Sequence, residues 1–541
     1  MISKANPTGK ETLADVIAVH AKKKPQAIAF IAGERTMNWQ QYADWSDQLA
    51  GVFIRSGLKP GERVALLLPD SLEIHAAFVA CEKAGVVGMA ISSRAGEKEI
   101  RHLVKVSGSV MLLSQDASGG HRYRALFEDL EKNCPSLERH IELLASLDQP
   151  EAVLIDGMPI DHAITGALLT EIGARQAGPE DLFLLNTTSG TTGMPKCVTQ
   201  HQRRWFEYAE LAQDSADLAG QDVFLRAVPA SVGFGLWSGH FIPTLLGSTT
   251  VILPKFSVEA LLEAIEVHEV SILIAVSTQF IMMLNHLDLE RYDFKSLRTL
   301  YTGGEAVPYE RAARFEEVTG AIVLQFYGSN ETGALSYTSI RDTQEQRLTT
   351  AGRTIPSMNV RLIDKDEKDC TDTGRGQPIC KGLLTCKGYF NNEEANQKLF
   401  TSDSAMKMED IVTIDSKGYL RVVGRVGDFI IRGGKNISAV AVEEVVLAHP
   451  QVEMAAAVAM PDPVFGERVC IYVVEKSLAN LSLPMLVEFL DAQGVSKEYF
   501  PEKMILLDEL PVVSGGKVAK HVLREDIRVK TEAGFETSNP D

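Results

Sequence analysis

Short apolar runs that alternate with helical segments constrain the fold of this chain more than any other feature. A helical segment at 39–56, closed by Gly57, is an example. Strands separated by helices usually pair in parallel, and the helices cover both faces of their sheet. The predicted strands lie at 27–31, 64–68, 110–113, 182–185, 223–225, 249–253, 272–275 and 297–301. The pattern predicts an α/β fold with stacked, mostly parallel β-sheets in a large N-terminal domain.

The pattern changes from about residue 360. Short alternating segments and frequent turns indicate β-hairpins, which predict a small β-barrel-like part. Beyond Gly424–Asp428, two helices (440–448 and 485–493) and two strands (452–460 and 471–474) indicate a compact α+β unit. We therefore predict a large N-terminal domain at 1–425 and a small C-terminal domain at 428–541, with the boundary at 425–428.

Composition excludes several classes of protein. The 541 residues exceed one ordinary domain. No apolar run reaches the roughly 18–20 residues of a membrane span, and no apolar leader follows Met1. Seven cysteines without a Cys-x-x-Cys pair favour a reducing compartment, so we expect a cytoplasmic protein. A net charge of −18 disfavours nucleic acid as a partner, although a local site can still bind an anion.

A polar loop follows the predicted strand at 182–185. Residues 187–196 read TTSGTTGMPK, with five hydroxyl side chains, two glycines and a lysine. Glycines let backbone N–H groups close around an anion, and the hydroxyls and Lys196 add donors and charge. The loop therefore indicates a polyphosphate cradle, although a polar surface loop is the alternative if the motif is taken alone. It is not a P-loop, because Cys197 follows the lysine where that motif has Ser or Thr.

Further motifs follow in a fixed order. They read YTGGEA at 301–306, FYGSNETG at 326–333, MED at 408–410, GR at 424–425 and LPVVSGGK at 510–517. With the loop at 187–196, their order and spacing resemble the adenylate-forming superfamily of acyl-CoA synthetases, luciferases and peptide-synthetase adenylation domains. The resemblance extends from about Thr12 to Arg524.

The resemblance implies a nucleotide site. The loop Thr188–Lys196 would hold the β- and γ-phosphates of ATP, and Glu331, with Thr191, would bind Mg²⁺, which usually takes one or two carboxylates plus phosphates. Lys517 would neutralise charge that builds at the α-phosphate. The implied catalytic residues are Lys517, Glu331, Thr191 and Lys196. The implied nucleotide- and cofactor-binding residues are Thr188, Ser189, Gly190, Thr191, Thr192, Gly193, Lys196, Gly304, Glu305, Ala306, Tyr327, Asn330, Asp410, Arg425, Gly433 and Gly434.

Individual roles within this site also come from the resemblance. Tyr327 offers a flat face to adenine, and Asp410 accepts hydrogen bonds from the ribose, with Arg425 nearby. Asn330 would contact the α-phosphate, where relatives usually carry Thr. The family usually reads Thr-Gly-Asp where this chain has Met408-Glu409-Asp410.

The implied reaction has two steps. A carboxylate attacks the α-phosphorus of ATP to give acyl-AMP and pyrophosphate, and a nucleophile then displaces AMP. The resemblance implies that residues 1–425 are the adenylation domain and that the mobile C-terminal domain, 428–541, rotates between the steps about a hinge at 425–428, with Gly427 as the hinge residue. Its second face, which includes Gly433 and Gly434, would then form a tunnel for the pantetheine arm of coenzyme A.

The acyl pocket of this family lies near the segment 228–237. An aromatic-His pair common among relatives is replaced here by Ser231 and Val232, and Pro229 cannot bind an α-ammonium as an aspartate would, which argues against an amino acid. The side chains suggest an apolar pocket for a medium-chain, alicyclic or aromatic acid. Its predicted residues are Val232, Phe234, Trp237, Tyr301 and Gly303.

Three functions remain open. The first is an acyl-CoA synthetase that uses ATP, Mg²⁺ and coenzyme A. The second is a free-standing acyl-AMP ligase that loads a carrier protein, because nothing beyond Arg524 is long enough for a fused carrier domain. The third is a nucleotide-binding protein without catalysis. A homodimer is a reasonable expectation.

Overall fold

A computed structural model describes residues 4–115, 122–144, 153–188, 194–304, 307–432, 435–476, 480–512 and 517–532. The β-strands form two large mixed sheets, a small antiparallel sheet and a further sheet near the C-terminus. Helices cover the large sheets, so the predicted α/β class is confirmed. The domain boundary and the mobility of the C-terminal unit stay predictions.

The first large sheet has a parallel centre, and its outer strands at both edges are antiparallel. In spatial order its strands are Arg353–Thr354, Gly333–Tyr337, Ile322–Ser329, Thr299–Gly303, Ile272–Ile274, Val223–Arg226, Thr249–Ile252, Ile28–Ala32 and Arg35–Asn38. Parallel neighbours end at the same edge, and Gly303 pairs with Phe326, so the predicted motifs at 301–306 and 326–333 lie side by side.

The second large sheet has the same plan, with a parallel centre and antiparallel ends. In spatial order its strands are Cys197–Gln200, Leu184–Thr187, Val87–Ala90, Arg63–Leu67, Met111–Gln115, Arg139–Leu143, Val153–Ile155 and Met158–Pro159. An isolated parallel bridge joins Thr187 to Val232, which follows a strand of the first sheet. The two sheets therefore meet at the predicted phosphate loop and acyl segment.

The smaller sheets follow along the chain. The antiparallel sheet contains Arg361–Ile363, Arg375–Cys380, Asp410–Ile414 and Leu420–Arg425, and Met406–Lys407 pairs with its second strand. The C-terminal sheet contains Lys435–Ser438, Phe429–Arg432, Gly466–Glu475 and Val452–Asp462, with Lys503–Leu506 parallel to Gly466–Glu475. Strand Leu420–Arg425 belongs to the small antiparallel sheet, and the next strand, Phe429–Arg432, belongs to the C-terminal sheet. The predicted hinge therefore connects the two sheets.

Helix Leu72–Ala84 is buried at every residue, which is expected of a helix packed on all sides. Ser71 occupies its N-cap position, but the hydroxyl makes no capping hydrogen bond. Helix Trp39–Arg55, in contrast, begins with a capping box between Asn38 and Gln41.

The remaining α-helices cover the sheets or join their strands. They are Leu13–Lys23, Glu97–Ser107, Arg122–Asn133, Gly166–Arg175, Gln202–Ala216, Gly233–Leu236, Ile242–Leu246, Val258–Val267, Ser277–Leu284, Tyr309–Thr319, Gln344–Thr349, Glu393–Leu399, Ala439–Leu447, Leu483–Ala492 and Lys520–Glu532. A π-helical turn at Trp237–Phe241 and 3₁₀ turns at Leu289–Arg291, Pro356–Met358, Thr371–Thr373 and Lys497–Tyr499 complete the helical elements of the described residues.

The cysteines and the hydropathy of the helices bear on two points of the sequence analysis. Cys370 is half-buried, and the other cysteines, Cys470 of the C-terminal sheet among them, are buried without a disulfide bond. Within the described part of the chain, no helix combines the length and hydropathy needed to cross a membrane.

Candidate active site

The base of the predicted phosphate loop is closed by hydrogen bonds. The N–H of Thr188 donates to the carbonyl of Lys196 over 3.2 Å, directly beyond the antiparallel pair Thr187 and Cys197. Both ends of the loop therefore lie side by side at the edge where the large sheets meet. The predicted contacts of Ser189, Gly190, Thr191, Thr192 and Gly193 fall outside the described residues.

Tyr389 joins two of the predicted catalytic residues. The Lys196 ammonium lies 4.8 Å from the centre of the Tyr389 ring, and the Tyr389 hydroxyl donates to Glu331 Oε1 over 2.5 Å. Burial and the adjacent Glu331 raise the pKa of Tyr389, so the hydroxyl stays a donor. Sequence reasoning missed Tyr389. The only local signal was an aromatic residue after Gly388.

The donor chemistry around Glu331 suits Mg²⁺. Among the described residues, no group of three His, Cys, Asp or Glu side chains could hold a metal ion. Mg²⁺ usually keeps waters and binds one or two carboxylates together with phosphates, so a lone Glu331 beside a phosphate loop fits. Thr191, the other predicted ligand, lies outside the described residues.

Tyr327 and Asp410 form one hydrogen-bonded unit. The Tyr327 hydroxyl donates to Asp410 Oδ2 over 2.8 Å. Burial raises the pKa of Asp410 above its ordinary value, and the hydrogen bond from Tyr327 opposes that rise. Arg425 pairs with Asp410 in the sheet register, but its guanidinium donates to Glu409 over 2.9 Å. The two residues predicted to hold adenine and ribose are therefore in contact with each other.

Lys517 reaches this unit from the C-terminal part of the chain. Gly304 has a φ of +84°, and a Cβ built on it would lie 3.0 Å from Lys517 Nζ. The charge of Lys517 also lowers the pKa of Asp410. Gly303 is closed in as well, because a Cβ there would lie 2.8 Å from the Phe326 carbonyl oxygen. The structure thus brings Lys517 to the predicted nucleotide site. Glu305 and Ala306 lie outside the described residues.

Asn330 has protein partners at both ends of its amide. Its Nδ2 donates to Asn186 Oδ1 over 2.8 Å and to the Thr187 carbonyl over 3.3 Å. Its Oδ1 accepts from Gln200 Nε2 over 3.2 Å. The predicted contact of Asn330 with the α-phosphate therefore competes with an existing set of hydrogen bonds.

The predicted acyl pocket contains a packed aromatic cluster. The ring centre of Trp237 lies 4.5 Å from Tyr208, 5.1 Å from Phe326, 5.6 Å from Phe234 and 6.2 Å from Tyr301. Tyr208 and Phe326 were not predicted as members. Trp237 and Tyr301 are buried, so they are part of the protein core as well as candidates for the pocket wall.

The remaining pocket residues are more open. Val232 and Phe234 are half-buried, whereas the hydroxyl of Tyr301 is bound internally, 2.6 Å from Ser215 Oγ and donating to the Ala212 carbonyl over 2.9 Å. Tyr301 thus offers no free hydroxyl in this structure. The two more exposed side chains, Val232 and Phe234, are apolar.

A cavity of about 470 Å³ lies between the two parts of the chain. Pro229 and Ser231 line it from the first large sheet, and Glu453 and Leu510 line it from the C-terminal part. The segment that carries the predicted acyl residues therefore extends from this cavity to the aromatic cluster. The sequence did not indicate the cavity, because it depends on how the two parts pack.

The predicted hinge lies between two strands. Gly427 has no neighbour within 4 Å of a Cβ built on it, so space does not require glycine there. The next residue, Asp428, is paired with Arg524 and lies 3.8 Å from Lys520 Nζ. These ion pairs tie the hinge to the last helix. Gly433 and Gly434, predicted for the second step, lie outside the described residues.

Comparisons with known proteins match most of the chain. A family model described as "AMP-binding enzyme" matches residues 17–390, and one described as "AMP-binding enzyme C-terminal domain" matches residues 441–517. The chain is 29% identical over 531 residues to the "Salicyl-AMP ligase / salicyl-S-ArCP synthetase" of Mycobacterium tuberculosis, covering 96% of this chain and 91% of that protein.

Two further similarities show how widely the match extends. The "Medium-chain fatty-acid--CoA ligase" of Escherichia coli is 27% identical over 523 residues, covering 96% of this chain and 91% of that protein. The solved structure of the anthranilate CoA ligase AuaEII with anthranoyl-AMP superposes with a TM-score of 0.84 at 20% identity, over 96% of this chain and 98% of the other. At 20% identity, the similarity to AuaEII concerns the fold alone.

Proposed function

This chain belongs to the AMP-binding enzyme family, and from that premise we propose that it joins a hydrophobic carboxylic acid to coenzyme A through an acyl-AMP intermediate. Membership in the family and the relatives support an ATP-using, AMP-forming ligase. The choice of acid, the choice of acceptor and the roles of individual residues are our proposal.

The position of Lys517 carries the proposal. Its ammonium lies against Gly304, on the side of the site where Tyr327 and Asp410 meet. A carboxylate oxygen of the acid would attack the α-phosphorus, and the bond from that phosphorus to the bridging oxygen would break as pyrophosphate leaves. Lys517 stabilises the negative charge that builds on these oxygens, as preorganised cations do in other transfer reactions.

The other residues of the site position the reactants. Thr188 and Lys196 flank the polyphosphate loop, and Asp410 accepts hydrogen bonds from the ribose. Glu331 would hold Mg²⁺, which supplies charge neutralisation between the phosphates. Tyr389 keeps the Glu331 carboxylate in place, and its ring lies under Lys196.

The apolar wall supports a hydrophobic acid. Val232 and Phe234 are half-buried beside the aromatic cluster, and Pro229 stands where an amino-acid-activating relative needs a carboxylate. The two relatives act on an aromatic acid and on a medium-chain fatty acid, going by their names. The fatty acid is apolar apart from its carboxylate, and the salicyl group carries one hydroxyl in addition.

The second step transfers the acyl group to a thiol. The thiol sulfur attacks the acyl carbonyl carbon, the bond from that carbon to the AMP oxygen breaks, and the thiol proton is released. We propose coenzyme A as the acceptor and a rotation about Gly427 between residues 1–425 and 428–541. A carrier protein is the second candidate, because the name of the M. tuberculosis relative includes loading of a carrier.

The deciding experiment measures AMP and pyrophosphate with ATP, Mg²⁺ and a panel of aromatic, alicyclic and medium-chain acids, each with and without coenzyme A. AMP formation that depends on coenzyme A is the expected result. Acid-dependent pyrophosphate exchange without that dependence would favour carrier loading. Nucleotide binding without turnover of any acid in the panel would contradict the proposal.

A further inference from the structure

A buried polar cluster lies directly behind the turn that carries Glu331. Asn186, Gln200 and Arg204 have no exposed surface, and they come from the two strands beside the phosphate loop and from helix Gln202–Ala216. Asn186 and Gln200 bind the side chain of Asn330, as described above. The turn is thus attached to the strands that flank the loop.

The Arg204 guanidinium completes this attachment. One nitrogen, Nη1, donates to Gln200 Oε1 over 2.8 Å. The other, Nη2, donates to the carbonyl oxygen of Asn330 over 3.0 Å and is 3.4 Å from that of Glu331. A single side chain therefore holds both the strand beside the loop and the backbone of the turn.

Arg204 is an unusual buried cation. Among the residues that the structure describes, no carboxylate lies within ion-pair distance of it, and its Nε has no hydrogen-bond partner. Burial of a charge without a paired carboxylate costs several kcal/mol. A leucine or methionine would fill the same space on this helix without that cost. Stability alone therefore does not account for an arginine at this position.

The contacts of Arg204 lead to the catalytic groups. The Glu331 carboxylate accepts a hydrogen bond from the Tyr389 hydroxyl, and the Lys196 ammonium lies over the Tyr389 ring. A shift of the Glu331 backbone would move its carboxylate relative to Lys196. The bifurcated contact to the carbonyls of residues 330 and 331 sets that backbone.

We propose that Arg204 is a positioning residue for the first step: its guanidinium holds the Asn330–Glu331 turn against the strands of the phosphate loop, so that Glu331 can bind the metal ion of Mg·ATP. The inference rests on the proposed function, since it assigns Glu331 to that metal. Arg204 acts through Glu331 and touches no reactant.

The test compares Arg204→Lys and Arg204→Gln with the unaltered protein. Lysine keeps the charge but cannot make the forked contacts of a guanidinium, so a positioning role predicts that lysine does not rescue binding. We expect both variants to raise the Kd for Mg·ATP, measured by titration calorimetry, by about tenfold or more, as loss of an outer-shell partner usually does. The Kd for ATP with EDTA should change far less.

A matched control separates positioning from general destabilisation. Arg347 is also buried, pairs with Glu316 and donates to the Val323 carbonyl, near the start of strand Ile322–Ser329. Arg347→Gln should lower the melting temperature while the Kd for Mg·ATP stays unchanged. If Arg204→Gln does not fold, Arg204→Lys carries the test.

Two results would overturn the proposal. One is a folded Arg204→Lys variant with the Kd for Mg·ATP of the unaltered protein. The other is an equal loss of affinity in Arg347→Gln. Failure of the proposed function is seen separately, as an unaltered protein that binds Mg·ATP but forms no acyl-AMP with any acid.

Discussion

The nucleotide side and the acyl side of the candidate site share one strand but are built differently. On Ile322–Ser329, Phe326 packs into the aromatic cluster, and its neighbour Tyr327 donates to Asp410. Successive residues of a strand face opposite sides, so one strand can serve both. The nucleotide side is held by directional hydrogen bonds, whereas the acyl side is held mainly by contacts between aromatic rings.

This difference determines what each side can specify. Hydrogen bonds to charged groups require fixed atoms at fixed distances, so the polar side suits a reactant that never changes. Ring packing tolerates substitution as long as the volume is kept, so the aromatic side can change its acid without disturbing the chemistry. Four substitutions test this division.

Lys517→Ala should have the largest effect. Removal of the cation beside Gly304 takes away transition-state stabilisation and should lower acyl-AMP formation by about a hundredfold to a thousandfold. Single-turnover assays with radiolabelled ATP measure the step, with circular dichroism and ATP binding as controls for folding. Unchanged adenylation would contradict the role of the lysine.

Trp237→Ala should act on the acyl side alone. Loss of a fully packed indole should lower the free energy of unfolding by about 3–5 kcal/mol and favour bulkier acids in kcat/KM. Phe315→Ala, in another cluster, should lose comparable stability without changing acid preference. If Trp237→Ala raised the KM for ATP more than the KM for the acid, the two sides would not be independent.

Tyr389→Phe should weaken binding of Mg·ATP on the nucleotide side without abolishing it. The hydroxyl donates to an ionised carboxylate, a bond worth about 1.5–3 kcal/mol. We expect the KM for Mg·ATP to rise by about tenfold while the order of preference among acids is kept. Initial rates at varied Mg²⁺ measure the effect, and an unchanged KM would show that Glu331 needs no help from Tyr389.

Tyr327→Phe should give the smallest effect, a change in pH dependence. In its proposed role Asp410 accepts hydrogen bonds from the ribose as a carboxylate, so its raised pKa should make nucleotide affinity fall as the pH decreases through that value. Loss of the Tyr327 donor removes a contribution that lowers this pKa, so the acid limb of kcat/KM for ATP should move upward by less than about one pH unit. A limb that moves downward would contradict the assignment to Asp410.

The same division explains what the sequence predicted. Most strand and helix bounds agree to about two residues, as for 64–68 against Arg63–Leu67 and 440–448 against Ala439–Leu447, because hydrophobic periodicity is a local signal. The strand predicted at 471–474 is an exception, because it extends over Gly466–Glu475. The motifs also indicated that Tyr327 and Asp410 share a site, and the structure places them in contact. The bounds of the two domains and the residue roles stay predictions.

What the sequence could not give depends on long-range contacts. Tyr389 and Arg204 stand in no motif, and their partners lie far along the chain at residue 331 and, for Arg204, at residue 330. The internal hydrogen bonds of Asn330 and the burial of Trp237 were likewise invisible, since both arise from packing. Ser71 shows that local sequence signals also have a limit. Serine is a favoured N-cap residue and occupies the N-cap position here, but it makes no capping hydrogen bond.

The distribution of thiols gives the molecule a practical property. Cys370 is half-buried in the N-terminal part, and Cys470, in the C-terminal sheet, is fully covered. The tip between strands Val452–Asp462 and Gly466–Glu475 exposes Val464. With Val464→Cys, two dyes attached by thiol chemistry would report the distance between residues 370 and 464, and the proposed rotation between the two steps would be seen as a change in energy transfer within single molecules.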